Sequence, residues 1–117
     1  MNQNTKMNQY EIWIADLNPR SGTESGKIRP VVIIQTDLLN NFHPSTIICP
    51  ITTNLVSESE ILRVHLKKGM ANLNEDCEIM IDQIRAIDNQ RFSKKIGELP
   101  ENIIEQLKEN LSLILDI

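Results

Sequence analysis

Apolar and polar positions change rhythm several times along this chain. Over "YEIWIADL", Ile12 and Ile14 fall on one face and Glu11, Trp13 and Ala15 on the other, the two-residue period of a strand. A β-branched run after Pro30 predicts a buried strand from Val31 to Thr36. Because Pro30 restricts the residue before it to extended backbone, Arg29 should be held at the mouth of that strand. "STIICPITTN" predicts a strand from Thr46 to Thr53, with Pro50 marking an edge or a bulge, and "ILRVHL" alternates again. The longest strand is expected over "CEIMIDQIRAID", Cys77 to Asp88. It is apolar on both faces at first and turns polar at Asp82 and Gln83, as a strand does on leaving the core for a pocket or an interface.

The period then becomes helical. Pro100 suits a first helical position, Glu101 and Glu105 complement the N-terminal dipole, and Ile103, Ile104, Leu107, Leu111, Ile114 and Leu115 share one face. Residues 1–9, "MNQNTKMNQ", carry no period and read as a flexible tail, which leaves 10–117 as a single domain. Five or six short strands followed by one terminal amphipathic helix predict a mainly β fold, a small antiparallel barrel with helical decoration.

Composition narrows the function. With 117 residues and 40% apolar content, the chain has enough mass for one modest core. Aromatics at 3% cannot build an extended base-stacking platform. A net charge of −4 argues against coating nucleic acid or membrane with the whole surface. Charge is uneven, however: Arg20, Lys27 and Arg29 face only Glu24 across residues 20–36, whereas five acids outnumber three lysines across residues 92–117. Cys49 and Cys77 show no metal or redox spacing and read as buried thiols of a reducing cytoplasm, and no apolar run reaches transmembrane length. No metal motif and no Gly-rich nucleotide loop is present, so neither a metal nor a cofactor is expected.

"EIWIADLNPRSGTESGKIRPVVII", "CPITTN" and "DQIRAID", in this order and followed by the terminal helix, resemble the MazF/PemK family of toxin endoribonucleases from Tyr10 to Ile117. The resemblance implies an SH3-like or CcdB-like barrel and a homodimer. It also implies metal-independent, sequence-specific cleavage of single-stranded RNA to 2′,3′-cyclic phosphate and 5′-hydroxyl ends, and a cognate antitoxin lying across the active grooves. A toxin of the same fold that binds gyrase, or a non-catalytic interaction module, is the alternative; neither has a chemical need for the "RP" and "PITT" elements.

By this resemblance Arg29 and Thr52 are the catalytic candidates. A guanidinium fork suits a phosphate gaining charge, and a hydroxyl can donate to a phosphate oxygen. Lys27, Thr53, Gln83 and Arg85 are candidates for RNA contact, with Arg85 alternatively in an ion pair. Glu24 is a proton acceptor or, preferably, a loop anchor; Asp82 is a general base or an acceptor for loop amides. On a regular strand Asp82 and Gln83 face opposite ways. Some relatives place a histidine where this chain has Thr23 and an arginine where it has Met80, so the general acid is unassigned. His43 and His65 lie outside the matched segments and read as surface residues. The loop from Asn54 to Glu60 is expected to set the cleavage sequence.

Overall fold

The computed structural model describes residues 6–19, 21–24, 26–56 and 60–117. Arg20, Ser25, residues 57–59 of the expected specificity loop and the first five residues lie outside these ranges. The strands are β1 (Glu11–Asp16), β2 (Ile28–Ile33), β3 (Ser45–Thr52), β4 (Arg63–Leu66), β5 (Cys77–Met80), β6 (Arg85–Asp88) and β7 (Phe92–Glu98), followed by helix α1 (Glu101–Leu115). They form one antiparallel sheet in the order β4-β5-β3-β2-β1-β7, with β6 also paired to β3. Among the described residues no ladder joins β4 to β7, so the expected barrel is a curled, open sheet with the expected terminal helix.

Alternation along the central strands divides the core in two. Ile12, Val32, Cys49 and Ile51 face β4, β5 and the helix residues Ile103 and Leu107. Trp13, Val31, Ile33 and Ile48 face the other way, onto Ile87 and Phe92. Trp13 meets Phe92 edge-on, with ring centroids 6.1 Å apart. The curled sheet thus buries both faces of β1, β2 and β3, and the residues that alternation assigned to an outer face lie in a second core.

Four expectations change. The segment 77–88 is two strands, because a 3₁₀ turn at Ile81–Gln83 interrupts it. β7 has no counterpart in the sequence reading; its exposed Ser93, Lys94 and Lys95 are what an edge strand presents to prevent further pairing. Pro50 is buried in a central strand, paired with Val31 on one side. On its other side it falls between the β6 register, which ends at Ile48, and the β5 register, which begins at Ile51, where no ladder needs its missing N–H. The expected tail is packed from Met7 onward. Met7 is fully buried and its backbone exchanges hydrogen bonds of 2.8 and 2.9 Å with the Asn41 amide, while Gln9 binds Asp37 and the Ile34 carbonyl.

Glu11, 5% exposed, ties β1 to the N-terminal segment and to β7. It accepts from the Trp13 indole at 3.0 Å and the Asn8 amide at 2.9 Å, and pairs with Lys95 at 2.9 Å. Burial pushes its carboxyl up, but the Trp13, Asn8 and Lys95 donors outweigh burial and hold it below its ordinary value of 4.5. A lowered folded-state value means that Glu11 stabilises the fold fully above about pH 4.5 and that this contribution is lost as pH falls through the lower value. Glu11→Leu should therefore cost about 2–3 kcal/mol at pH 7, since the buried Trp13 indole and the part-buried Asn8 amide lose their acceptor. Urea titrations should show that gap shrinking below pH 4.5. Close by on β7, a Cβ on Gly97 would lie 2.6 Å from the carbonyl carbon of Ala71, backbone that cannot swing away. Gly97→Ala should lower stability by about 1–3 kcal/mol in the same titration.

Candidate active site

The sheet's splayed end carries a cleft of about 540 Å³ between the β1–β2 loop, the end of β3 and the 3₁₀ turn. Arg29 is the second residue of β2, one step inside the strand rather than before it, and is opposite Ala15. It lies beyond the paired part of β2 and β3, which begins at Val31, so its side chain extends along an open edge. Two carbonyls hold the half-buried guanidinium: Nε donates to Gly26 at 3.1 Å and Nη1 to Ile51 at 3.3 Å. Burial pulls its pKa down, yet an arginine stays cationic at neutral pH.

Thr52 ends β3 and also lines the cleft. Its Oγ1 accepts from the Asn54 amide at 3.1 Å, which occupies one lone pair and fixes the hydroxyl's position. Lys27 has a left-handed backbone, φ 58°, held by hydrogen bonds of its amide to Asn18 Oδ1 at 2.6 Å and of its carbonyl to the Leu17 amide at 2.9 Å. Left-handed geometry at a non-glycine residue is strained and persists only where neighbours impose it. Gln83 reaches across the cleft from the 3₁₀ turn, donating to the Thr23 carbonyl at 3.3 Å.

Of the residues expected from the sequence, the structure brings Glu24, Lys27, Arg29, Thr52 and Gln83 to one cleft, with Thr23 and Met80 in its wall. Three lie elsewhere. Thr53, one residue past the end of β3, lines a separate groove beside Ile14 and Pro30. Asp82 is exposed, outside the cleft wall, and acts on Cys49, whose thiol is pushed up to about 12 by burial first and by Asp82 second. Arg85 stands on β6 opposite Ile48, and its Nη1 is buried without a hydrogen-bond partner among the described residues. The helical turn, not strand alternation, separates Asp82 from Gln83.

Two residues of the cleft, Asn18 and Arg63, were not singled out from the sequence, and Asn54 entered only as the start of the expected specificity loop. Asn18 precedes Pro19 and closes the β1–β2 loop, as asparagine commonly does in turns. Arg63 had one usable signal, since "RVHL" places it and His65 on the face opposite the buried Val64 and Leu66. Among the described residues of the cleft wall, the cations Lys27, Arg29 and Arg63 outnumber the single carboxylate, Glu24.

A curled antiparallel sheet with a terminal helix and a polar, cationic cleft at its loop end defines a class of small domains able to hold an anionic chain. Residues 8–115 match the family described as PemK-like, MazF-like toxin of type II toxin-antitoxin system, and the chain belongs to that family. It is 33% identical over 105 residues to Endoribonuclease EndoA of Bacillus subtilis (strain 168), covering 90% of each chain. MazF from Deinococcus radiodurans shares the fold with a TM-score of 0.83 at 19% identity, over 97% of this chain and 100% of that one. An endoribonuclease from a mycobacterial species in complex with its cognate antitoxin superposes with a TM-score of 0.77 at 13% identity, covering 95% and 96%.

Proposed function

We propose that this chain is the toxin of a type II toxin-antitoxin pair and cleaves single-stranded RNA without a metal, as a cytoplasmic enzyme that inhibits translation and growth. The observation that carries the reading is a single cleft in which a carbonyl-held Arg29 guanidinium, the Thr52 hydroxyl, Lys27 and the Gln83 amide converge. Family membership and the endoribonuclease name of the EndoA relative support it.

The chemistry needs only what such a cleft holds. The substrate's own 2′-hydroxyl attacks the adjacent phosphorus and loses its proton, and the bond from phosphorus to the 5′-oxygen breaks. The departing oxygen takes up a proton, leaving a 2′,3′-cyclic phosphate and a 5′-hydroxyl. Negative charge grows on the non-bridging oxygens as the phosphorane forms, and Arg29 stabilises it from a position set before the reaction begins. Thr52 adds a neutral donor to the same oxygens, its lone pair already engaged by Asn54. Lys27 holds a neighbouring phosphate, and Gln83 reads a base edge once RNA displaces the Thr23 carbonyl. Glu24, in the cleft wall, anchors the loop or accepts the 2′-proton.

The cationic cleft is also the surface for the cognate antitoxin, so that inhibitor and substrate exclude one another. Homodimer formation is part of the proposal, supported by large apolar side chains left exposed, among them Leu38, Phe42 and Leu113.

Incubating the purified protein with an unstructured RNA in EDTA, beside Arg29→Ala, tests the reading. Wild type should give discrete cuts with cyclic-phosphate ends, and Arg29→Ala should be slower by at least about 10²-fold while remaining folded. Absence of cuts from folded wild-type protein across varied RNAs would move the assignment to a gyrase-binding toxin or an interaction module. Thr52→Ala should lose activity on the same scale and Thr52→Ser should keep it; equal activity of Thr52→Ala and wild type would remove the hydroxyl from the mechanism.

A further inference from the structure

Behind Thr52 lies an ion pair outside the mechanism described so far. In the sheet, Glu78 of β5 is the direct cross-strand neighbour of Thr52 on β3 and of His65 on β4. Side chains directly opposite share one face of a sheet, so a carboxylate stands next to the proposed catalytic hydroxyl. That carboxylate is engaged. Its Oε1 accepts from Arg63 Nη1 at 3.0 Å and from the Val56 amide at 2.9 Å. The side chains of Arg63 and Glu78 are only 18% and 9% exposed.

Arg63 Nη1 donates a second hydrogen bond, 3.2 Å, to the carbonyl of Asn54. Asn54 is the residue whose amide holds Thr52 Oγ1 at 3.1 Å. One terminal nitrogen with two hydrogens thus spans a carboxylate and a carbonyl, and the chain leaving β3 is pinned at two peptides, 54 and 56, to the β4–β5 hairpin. Arg63 also forms the common wall between the cleft and a second groove, of about 610 Å³, along α1.

We propose that Arg63 and Glu78 are a positioning unit for Thr52: the pair anchors residues 54–56 to the hairpin and thereby sets the orientation of the Thr52 hydroxyl towards the scissile phosphate. The inference rests on the endoribonuclease reading above. Paired in this way, Glu78 is also prevented from drawing the Thr52 hydrogen to itself or repelling the phosphate. Arg63, though it lines the cleft, acts through Asn54 and not as a phosphate ligand.

The two roles of Arg63 separate in kinetics. Arg63→Met/Glu78→Leu replaces the pair by apolar groups of similar volume, a change that buried ion pairs commonly tolerate in stability while the hold on residues 54–56 is released. Positioning predicts a fall in kcat of about 10- to 100-fold with KM within about twofold, because displacement of a catalytic group leaves ground-state binding intact. Glu78→Gln keeps an acceptor for both Arg63 and Val56 and should restore kcat to within about threefold of wild type. Arg63→Lys keeps a cation but gives up the planar fork, and should lower kcat several-fold at unchanged KM; it decides the question if the double variant does not fold.

A raised KM at retained kcat in the double variant or in Arg63→Lys would overturn the proposal by making Arg63 a direct phosphate contact. So would a Glu78→Gln enzyme that binds RNA more tightly because its arginine has been released, or unchanged kinetics throughout. Wild type and Arg29→Ala run alongside: no cleavage by wild type brings down the endoribonuclease reading itself, whereas normal wild-type cleavage with an unaltered double variant brings down only the role of the pair.

Discussion

Strand β3 changes partners along one edge, and the cleft depends on that change. From Ser45 to Ile48 this edge pairs with β6, and from Ile51 to Thr52 it pairs with β5. A single straight strand from Cys77 to Asp88 cannot serve both segments of a twisted neighbour, so the chain breaks at the Ile81–Gln83 turn. The break falls opposite residues 49 and 50, where Pro50 has no N–H to offer. The consequence for chemistry is direct: the turn lifts Gln83 out of the sheet and carries it over to Thr23, closing the cleft that Thr52 and Arg29 enter from the strands.

Rigid elements hold each participating group. Arg29 lies within β2 and Thr52 at the end of β3, and both strands are buried on two faces by separate cores. The β1–β2 loop has its own fastenings. Asn18 binds the Lys27 amide, and Arg91, from the turn before β7, donates to the carbonyls of Asp16 and Asn18. Fastened in this way, the ends of the loop at Asn18 and Lys27 have little ordering left to do on binding, and lost ordering entropy is one of the main costs of holding a flexible single strand.

What was legible in the sequence were elements with a strong local signal. The helix over residues 101–115 and the central strands followed from periodicity, and the grouping of Glu24, Lys27, Arg29, Thr52 and Gln83 followed from spaced motifs resembling a known family. The missed features depend on tertiary context. Strand β7 gains its place from pairing with β1 across a bulge, which "FSKKIGE" alone does not announce. Met7 looks like tail until its pocket against the second core and Asn41 is known. The burial of Glu11 has no local signal because its four donors come from the indole, the turn before it and β7. Thr53 was grouped with Thr52 by adjacency, but it follows the end of β3 and lines a different groove.

An acidic protein that grips an anion is consistent once distances are considered. The molecule extends 40 × 30 × 28 Å, whereas exposed charges are screened beyond about 8 Å at physiological salt. The five acids and three lysines of residues 92–117 carry half of the net charge of −4 and belong mainly to the outer face of α1 and the edge of β7, so that half contributes little to the field within the cleft. Local balance decides instead, and within the cleft it favours cations: Lys27 and Arg29 against Glu24. Arg63 adds little net charge, because Glu78 cancels it within 3.0 Å. A site of this kind draws its specificity from donor geometry rather than from bulk attraction, and so a short RNA segment can be held in register without the protein adhering to nucleic acid in general.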